Sequence, residues 1–475
     1  MIASLLALAL TAPPPAPTSL EGASATVLVA RLDRMGRMVS FLERAGRYSI
    51  ILRPASWQGD LHPLLSFDPT RPDSISSVGI DPAAGLSISL FDSGRVTCVT
   101  LLDPARYEPP AQARLGQLGS VGRAREAGSS VVVAAMKGKA LAGYVLRGRQ
   151  SCATEGPGSE ELLRRAARAL AKAPGRAPWA SPVSAEDSAY VLTRGGTLQL
   201  TGKLDVLEAR GTAQVSGLPP LRPGGPSPYG GVAPSGLLMV RARVAPEGVR
   251  QALGQMGAQL LAGCEICNAD VVGSILGTLR DQLTGEVMLR VDRVKAPPGS
   301  LRSPSARYFA VKHAYLAEVS RREVVSASLE SLMKIGAVRT AADTYSITAG
   351  ASSDAGTLFA GLSGQHLYVA NDEEALKAAL AAVSGARPAP LEHGADVFVD
   401  PRLVARAFSQ VSLLDLMSSR DLAPLVAAGT ELGPLFSHSE RLAGWLDGDA
   451  RARKFSFTWK LSPEPPPPSV TDGGR

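Results

Sequence analysis

Lysine, aromatic residues, cysteine and long apolar runs are all scarce in this chain, and each scarcity removes a class of function. Only ten of the 50 basic residues are lysine, so the formal charge of +7 rests on arginine. Aromatic residues make up 5%. Nucleic-acid binding calls for basic residues gathered on one element with stacking rings among them. The densest basic run, Arg164-Arg165-Ala166-Ala167-Arg168, is short and lies in a helical pattern. It reads as a solvated helix face, and no nucleic-acid partner is expected. No apolar stretch reaches the ~20 residues that a helix needs to span a bilayer, so no integral membrane span is expected.

Signatures of familiar chemistry are missing as well. There is no GxxxxGK[ST] phosphate loop, no GxGxxG after a strand, no HExxH and no GxSxG. Gly361-Leu362-Ser363-Gly364 lacks the second glycine of a nucleophile elbow and falls at a hairpin turn. His62, His313, His366, His393 and His438 show no HxxH or HxxxH spacing, and a lone strand histidine is more often a satisfied residue than a ligand. Glu160-Glu161 and Glu373-Glu374 stand in first helical turns, where carboxylates complement the helix dipole. No catalytic residue, metal or cofactor is expected from these patterns.

What is present is a chain of 475 residues, 45% hydrophobic and 20% charged, with 48 Gly and 36 Pro. That length suggests two or three domains. The apolar core from Ile2 to Ala12 followed by Pro13 to Pro17 fits the h-region of a secretory signal. No Lys or Arg precedes it, and Ala23-Ser24-Ala25 has the small-x-small form of a cleavage site. Residues 1–25 are therefore read as a signal-like leader and the chain as exported, periplasmic or secreted.

Beyond the leader, one order of elements occurs twice. "TVLVARLDRMGRMVSFLERAG" is a strand and then a helix with Met35, Met38, Val39 and Leu42 at helical spacing. "GLLMVRARVAPEGVRQALGQMG" repeats it, with Pro246 opening the helix. "LSISLFDSGRVTCVTLL" is a hairpin turning at Asp92-Ser93-Gly94, matched by "TGEVMLRVDRV" and "ARYFAVKHAYLAEV". Each half continues with a Gly-terminated helix, a hairpin (turning at Lys137-Gly138 and near Gly364-Gln365) and a capped helix beginning at Ser159 or Asn371-Asp372. The recurrence, about 220 residues apart, reads as a diverged duplication. The expected fold is α+β: two related modules, 26–215 and 237–462, each an antiparallel sheet with helices packed on one side. Residues 216–236, dense in Gly and Pro, are placed as a linker or long loop, and 463–475 as a Pro-rich disordered tail.

Four cysteines remain. In an exported chain they pair naturally as Cys98–Cys152 and Cys264–Cys267. The long loop stabilises by roughly 4 kcal/mol and the short ring by about 2. Cys264-x-x-Cys267 sits in a helix-helix turn, and nothing places Cys264 at the positive end of a helix, where a redox thiol is activated. A structural disulfide is the leading reading; a redox pair, half a metal site and free thiols stay open.

"LLSFDPTRPDSISSVGIDPAAGLSISLF", "LTGEVMLRV" and "GQHLYVANDEEALKAAL" carry a resemblance to a group of bacterial exported envelope proteins of unknown function with two related α+β modules. The resemblance covers most of the chain through turn and capping patterns, and it transfers no catalytic residue. Three functions are carried forward. The first is a non-enzymatic exported protein, structural or binding, with a lipid, apolar ligand or envelope protein as partner. The second is a thiol-disulfide oxidoreductase using Cys264 and Cys267, and the third a hydrolase or inhibitor with a loop-built site. Peptide mass spectrometry without reduction, with thiols alkylated at harvest, is expected to recover both disulfides. Four reduced cysteines would overturn the export reading.

Overall fold

The first half supplies ten strands: β1 (Ala25–Val29), β2 (Leu86–Phe91), β3 (Gly94–Thr100), β4 (Ser120–Glu126), β5 (Ser129–Met136), β6 (Lys139–Arg147), β7 (Gln150–Glu155), β8 (Ser188–Thr193), β9 (Gly196–Lys203) and β10 (Val206–Ala213). The second supplies β11 (Leu238–Arg243), β12 (Leu283–Val294), β13 (Val311–Val319), β14 (Val338–Ala341), β15 (Thr344–Ala349), β16 (Gly356–Ser363), β17 (His366–Ala370), β18 (Ala395–Val399), β19 (Ser439–Gly448) and β20 (Arg453–Leu461). These come from a computed structural model that describes residues 20–49, 52–53, 61–69, 71–172, 188–193, 195–214, 219–251, 269–295, 304–349, 356–410, 423–449 and 451–463. The fold is α+β.

Every pairing is antiparallel. Read outward from the middle, the first half runs β10-β9-β8-β1-β2-β3-β7-β6-β5-β4. The second runs β20-β19-β18-β11-β12-β13-β17-β16-β15-β14. The two halves thus share one strand order. Contrary to the expectation of two separate sheets, β10 pairs with β20 along its whole length, from Val206↔Lys460 to Ala213↔Arg453. Among the described residues twenty strands form one sheet.

Helices cover both faces, not one as expected. In the first half α1 (Met35–Gly46) and α2 (Pro104–Leu118) lie on one face, and α3 (Ser159–Lys172) on the other. Val132 and Ala134 join the core with Tyr107, Ala111 and Leu115 of α2. Their neighbour Val131 joins the core with Leu162, Leu163 and Leu170 of α3. Adjacent strand residues point to opposite faces, so β5 is sandwiched. The reason was present in "SSVVVAAM": a continuous apolar run marks a strand buried on both sides. The second half repeats the arrangement, with α4 (Ala269–Gln282) and α6 (Arg322–Leu329) on one face and α7 (Glu373–Ser384) on the other. Between α4 and α6, Pro304–Ala310 forms α5, so the strand expected to begin at residue 306 begins at Val311. Leu162, Leu163 and Leu170, all fully buried, contribute roughly 2 kcal/mol each.

Two boundaries also shift. Leu20 packs in the α3 core and the Ser24 amide donates to Leu90 O at 2.8 Å, so residues 20–25 pack against the first half. The segment placed as a linker is packed over residues 219–236. Tyr229 and Val232 are buried in the α7 core, and Pro226–Ser227 pairs with Ala389–Pro390. It is an arm of the second half, laid over the same sheet face that Leu20 covers in the first. Residues 1–19 and 464–475 lie outside the described residues.

Cys98 and Cys152 are bonded, directly opposite each other on β3 and β7 with Cα atoms 4.0 Å apart. Cys152 stands four residues after the turn glycine Gly148, as Tyr368 does after Gly364; in the second half the corresponding pair is Leu316 opposite Tyr368.

His62 is buried against Tyr107 in the first core; the Leu64 amide donates to its Nδ1 at 3.2 Å and Nε2 faces Tyr107 Oη at 3.4 Å. Burial, aided by the charge of Arg95, holds its pKa down at about 3. The unfolded chain protonates this group near 6.5 and the folded chain does not. Below pH 6.5 the unfolded state therefore binds the extra proton, and stability falls as pH drops from 6.5 toward 3. His62→Gln is expected to flatten that limb in urea titrations at pH 4 and 7; an unchanged difference between the two would remove His62 as its source.

Candidate ligand-binding face

The middle of the sheet is built differently from its flanks. Strands β9, β10 and β20, "GTLQLTGK", "VLEARGTA" and "RKFSFTWKL", alternate polar and apolar residues apart from Val206 and Arg453 at the strand starts, and alternation sends each class to its own face. Gln199, Arg210 and Ser456 stand in register on one side, as do Thr201, Glu208 and Thr458. On the other side an apolar row crosses eight strands: Leu200, Ala209, Phe457, Gly444, Val397, Val240, Leu289 and Tyr315. At ~4.8 Å per strand the row is roughly 34 Å long. Its members from Leu200 to Leu289 are half-buried, and Tyr315 at the end is 45% exposed.

Glycines shape this floor. Phe455 lies opposite Gly211 of β10, and Phe457 opposite Gly444 of β19. A methyl added at Gly444 would sit 2.3 Å from the Phe457 ring and 2.2 Å from Ser456 O. The missing side chain thus admits the ring across the neighbouring strand, a packing that compensates for glycine in a sheet.

One end of the floor is sealed by the protein itself. Leu207, Trp459 and Leu461 meet Phe41 and Ala45 of α1 and Leu432 and Leu435 of α9 (Ala423–Ser437). α9 packs on α8 (Pro401–Gln410), where Phe408 fills the space left by Gly429, and α8 reaches β19 and β12. These two helices stand between β18 and β19, where the first half has only the tight β8–β9 turn.

Next to the floor, on the opposite face, ionic groups pin the arm to the second half. Arg243 Nε donates to Glu286 Oε1 at 2.8 Å, and Arg222 of the arm reaches the same oxygen at 3.5 Å while donating to Thr284 O. Thr284 Oγ1 donates to Glu318 at 2.9 Å, and Tyr229 Oη shares a hydrogen bond with His366 Nδ1 at 3.1 Å. Burial raises the Tyr229 hydroxyl pKa and lowers that of His366. The cluster anchors the arm through these bonds, and among the described residues Arg222 Nε, Arg243 Nη1 and Glu286 Oε2 are buried in it without a hydrogen-bond partner.

The residues singled out in the sequence disperse. His313 donates Nδ1–H to Val311 O, His393 donates to Asp447 and stacks on Trp445, and His438 stacks on Tyr48. Among the described residues no three His, Cys, Asp or Glu side chains gather as metal ligands. Glu160 and Glu161 pair with Arg164 and Arg165, Glu373 with Lys377, and Glu374 with Arg293. Ser363 ends β16 before the Gly364 turn. Cys264 and Cys267 lie outside the described residues. No helix among the described residues is long and apolar enough to cross a membrane. The apolar face escaped the sequence reading, although the alternation of β9, β10 and β20 marks it; which strands adjoin is not written in any one of them.

Comparisons with protein-family models, curated proteins and solved structures find no match to this chain.

Truncating the anchor is expected to be costly. Glu286→Ala strands the nearly buried Arg243 guanidinium, at about 3–5 kcal/mol. Urea unfolding measures this, and a loss below about 1 kcal/mol would show that the pair holds nothing.

Proposed function

We propose that the chain is a non-enzymatic exported protein that binds an amphiphile with its hydrocarbon part on the apolar face of the central strands. One observation carries this reading: a row of half-buried apolar residues crosses the junction of the halves, while strands β9, β10 and β20 at that junction turn polar residues to the opposite face. A sheet face that served only as core would be sealed, as the flanks are. The row exceeds the ~15 Å of one bilayer leaflet's hydrocarbon, which suits an extended acyl chain. The shared strand order supports reading the halves as copies of one module joined through their last strands. The Cys98–Cys152 bond supports a periplasmic or secreted location, since thiols inside cells are kept reduced.

Displacement of a dansyl-labelled fatty acid from the full chain tests the proposal. Phe457→Asp is expected to weaken binding at least about tenfold, because a carboxylate on an apolar floor costs well over 1.4 kcal/mol. Ser456→Asp, one residue away on the opposite face, is expected to leave it unchanged. No binding by the unaltered protein, or equal losses in both variants, would sink the reading.

A further inference from the structure

The arginines of α3 and α8 are handled differently. On α3, Arg164 and Arg165 are matched one turn earlier by Glu160 and Glu161, at 2.6 and 3.0 Å. On α8, "PRLVARAFSQ", there is no carboxylate at all. Arg402 and Arg406 stand four residues apart on its exposed side, a spacing that brings like charges together. Arg402 Nη2 donates to the uncharged Ser462 Oγ at 2.9 Å, and among the described residues no ion pair engages Arg402 or Arg406.

Both arginines line a groove of about 420 Å³ between α8 and α9, with Ser409 beside them and Gly433, Pro434 and Ser437 opposite. Gly433 and Pro434 keep the far wall low. The groove opens away from the sheet, because the Leu432 and Leu435 side chains of the same stretch of α9 point inward onto Trp459.

We propose that the α8–α9 hairpin docks on an anionic phospholipid surface, with a headgroup phosphate held in this groove between Arg402 and Arg406. An anion there removes the repulsion between the two guanidinium groups and accepts from their forked N–H donors. The hairpin would then place a membrane surface over the helices that roof the apolar face. The inference rests on the amphiphile-binding reading for its purpose but on separate residues for its structure, so the two fail separately.

The test is co-sedimentation of the full chain with vesicles of phosphatidylcholine alone or with 30% phosphatidylglycerol, using the dansyl fatty acid as a parallel readout. Each arginine near an anionic surface adds about 1 kcal/mol. The double variant Arg402→Gln/Arg406→Gln is therefore expected to lose about thirtyfold in partitioning to the anionic vesicles. It should keep its fatty-acid affinity, which also shows that it is folded, and Arg402→Lys/Arg406→Lys should retain most of the partitioning. Sedimentation unchanged in the glutamine variant, no sedimentation of the unaltered chain, or equal sedimentation with neutral vesicles would each overturn the docking proposal. Loss of fatty-acid binding in the unaltered chain, with vesicle binding intact, would instead overturn the amphiphile reading alone.

Discussion

The pairing of β10 with β20 is the constraint on which the rest depends. Eight registered residue pairs, Val206↔Lys460 to Ala213↔Arg453, turn two ten-stranded units into one sheet. Each strand would otherwise be a long edge, with unpaired amides and carbonyls open to other chains. Because the strands occupy the same position in their halves and run antiparallel, the junction has the self-complementary form of a twofold interface. Register then decides chemistry: a slip of one residue would turn Phe455, Phe457 and Trp459 to the polar side. Gly211 and Gly444 hold that register from both flanks, since each accommodates a ring that only fits opposite a bare Cα.

Away from the junction, stability comes from burying both faces. Strands β5 to β7, and β13, β16 and β17, place buried residues in the cores on both faces of the sheet. The cost is that helix dipoles, caps and charged arms must be satisfied locally. Asp103 and Asp372 cap α2 and α7 by accepting from the amides of Ala105 and Ala375. Arg222, Arg243 and Glu286 show the less economical solution. A buried ionic cluster adds little net stability, but it fixes where the glycine-rich arm lies. The first half does without it and carries the Cys98–Cys152 bond instead, while the second fills the equivalent place with Leu316 and Tyr368.

Much of this was legible locally. Turn glycines, hairpins and one cap fell where Gly94, Lys137-Gly138, Gly364 and Asp372 indicated, because these signals act over a few residues, whereas Ser159 begins α3 and its hydroxyl donates to Leu141 O and Gly156 O without capping an amide. The Cys98–Cys152 pairing was legible from the two neighbouring hairpins. Expectations failed where the deciding contacts were remote. Residues 216–236 read as a linker because composition registers Gly and Pro, whereas the burial of Tyr229 depends on α7, some 150 residues later, and on the general tendency of a large ring to seek a core. The one-face expectation failed because an apolar run such as that of β5 marks a strand locally, while what covers its second side is set by α3, which lies beyond it in the chain. The apolar floor needs eight strands brought together, and only the alternation of "RKFSFTWKL" hinted at it.

The departures from likeness between the halves carry the functional argument. Where β8 turns directly into β9, β18 leads into α8 and α9, which reach across the junction to α1 and close one end of the floor. A helical hairpin on one side of a two-faced sheet makes that side unlike the other: it gains a roof, a sealed end and an uncompensated basic groove. The ten strands on the side without the hairpin keep an equivalent order and a sound core. A segment that the first half lacks, and that stands over the half-buried apolar row while packing Leu432 and Leu435 onto Trp459, is where selection for a ligand would act, and this is why the proposed chemistry is assigned to α8, α9 and the strands beneath them and not to the polar residues scattered elsewhere.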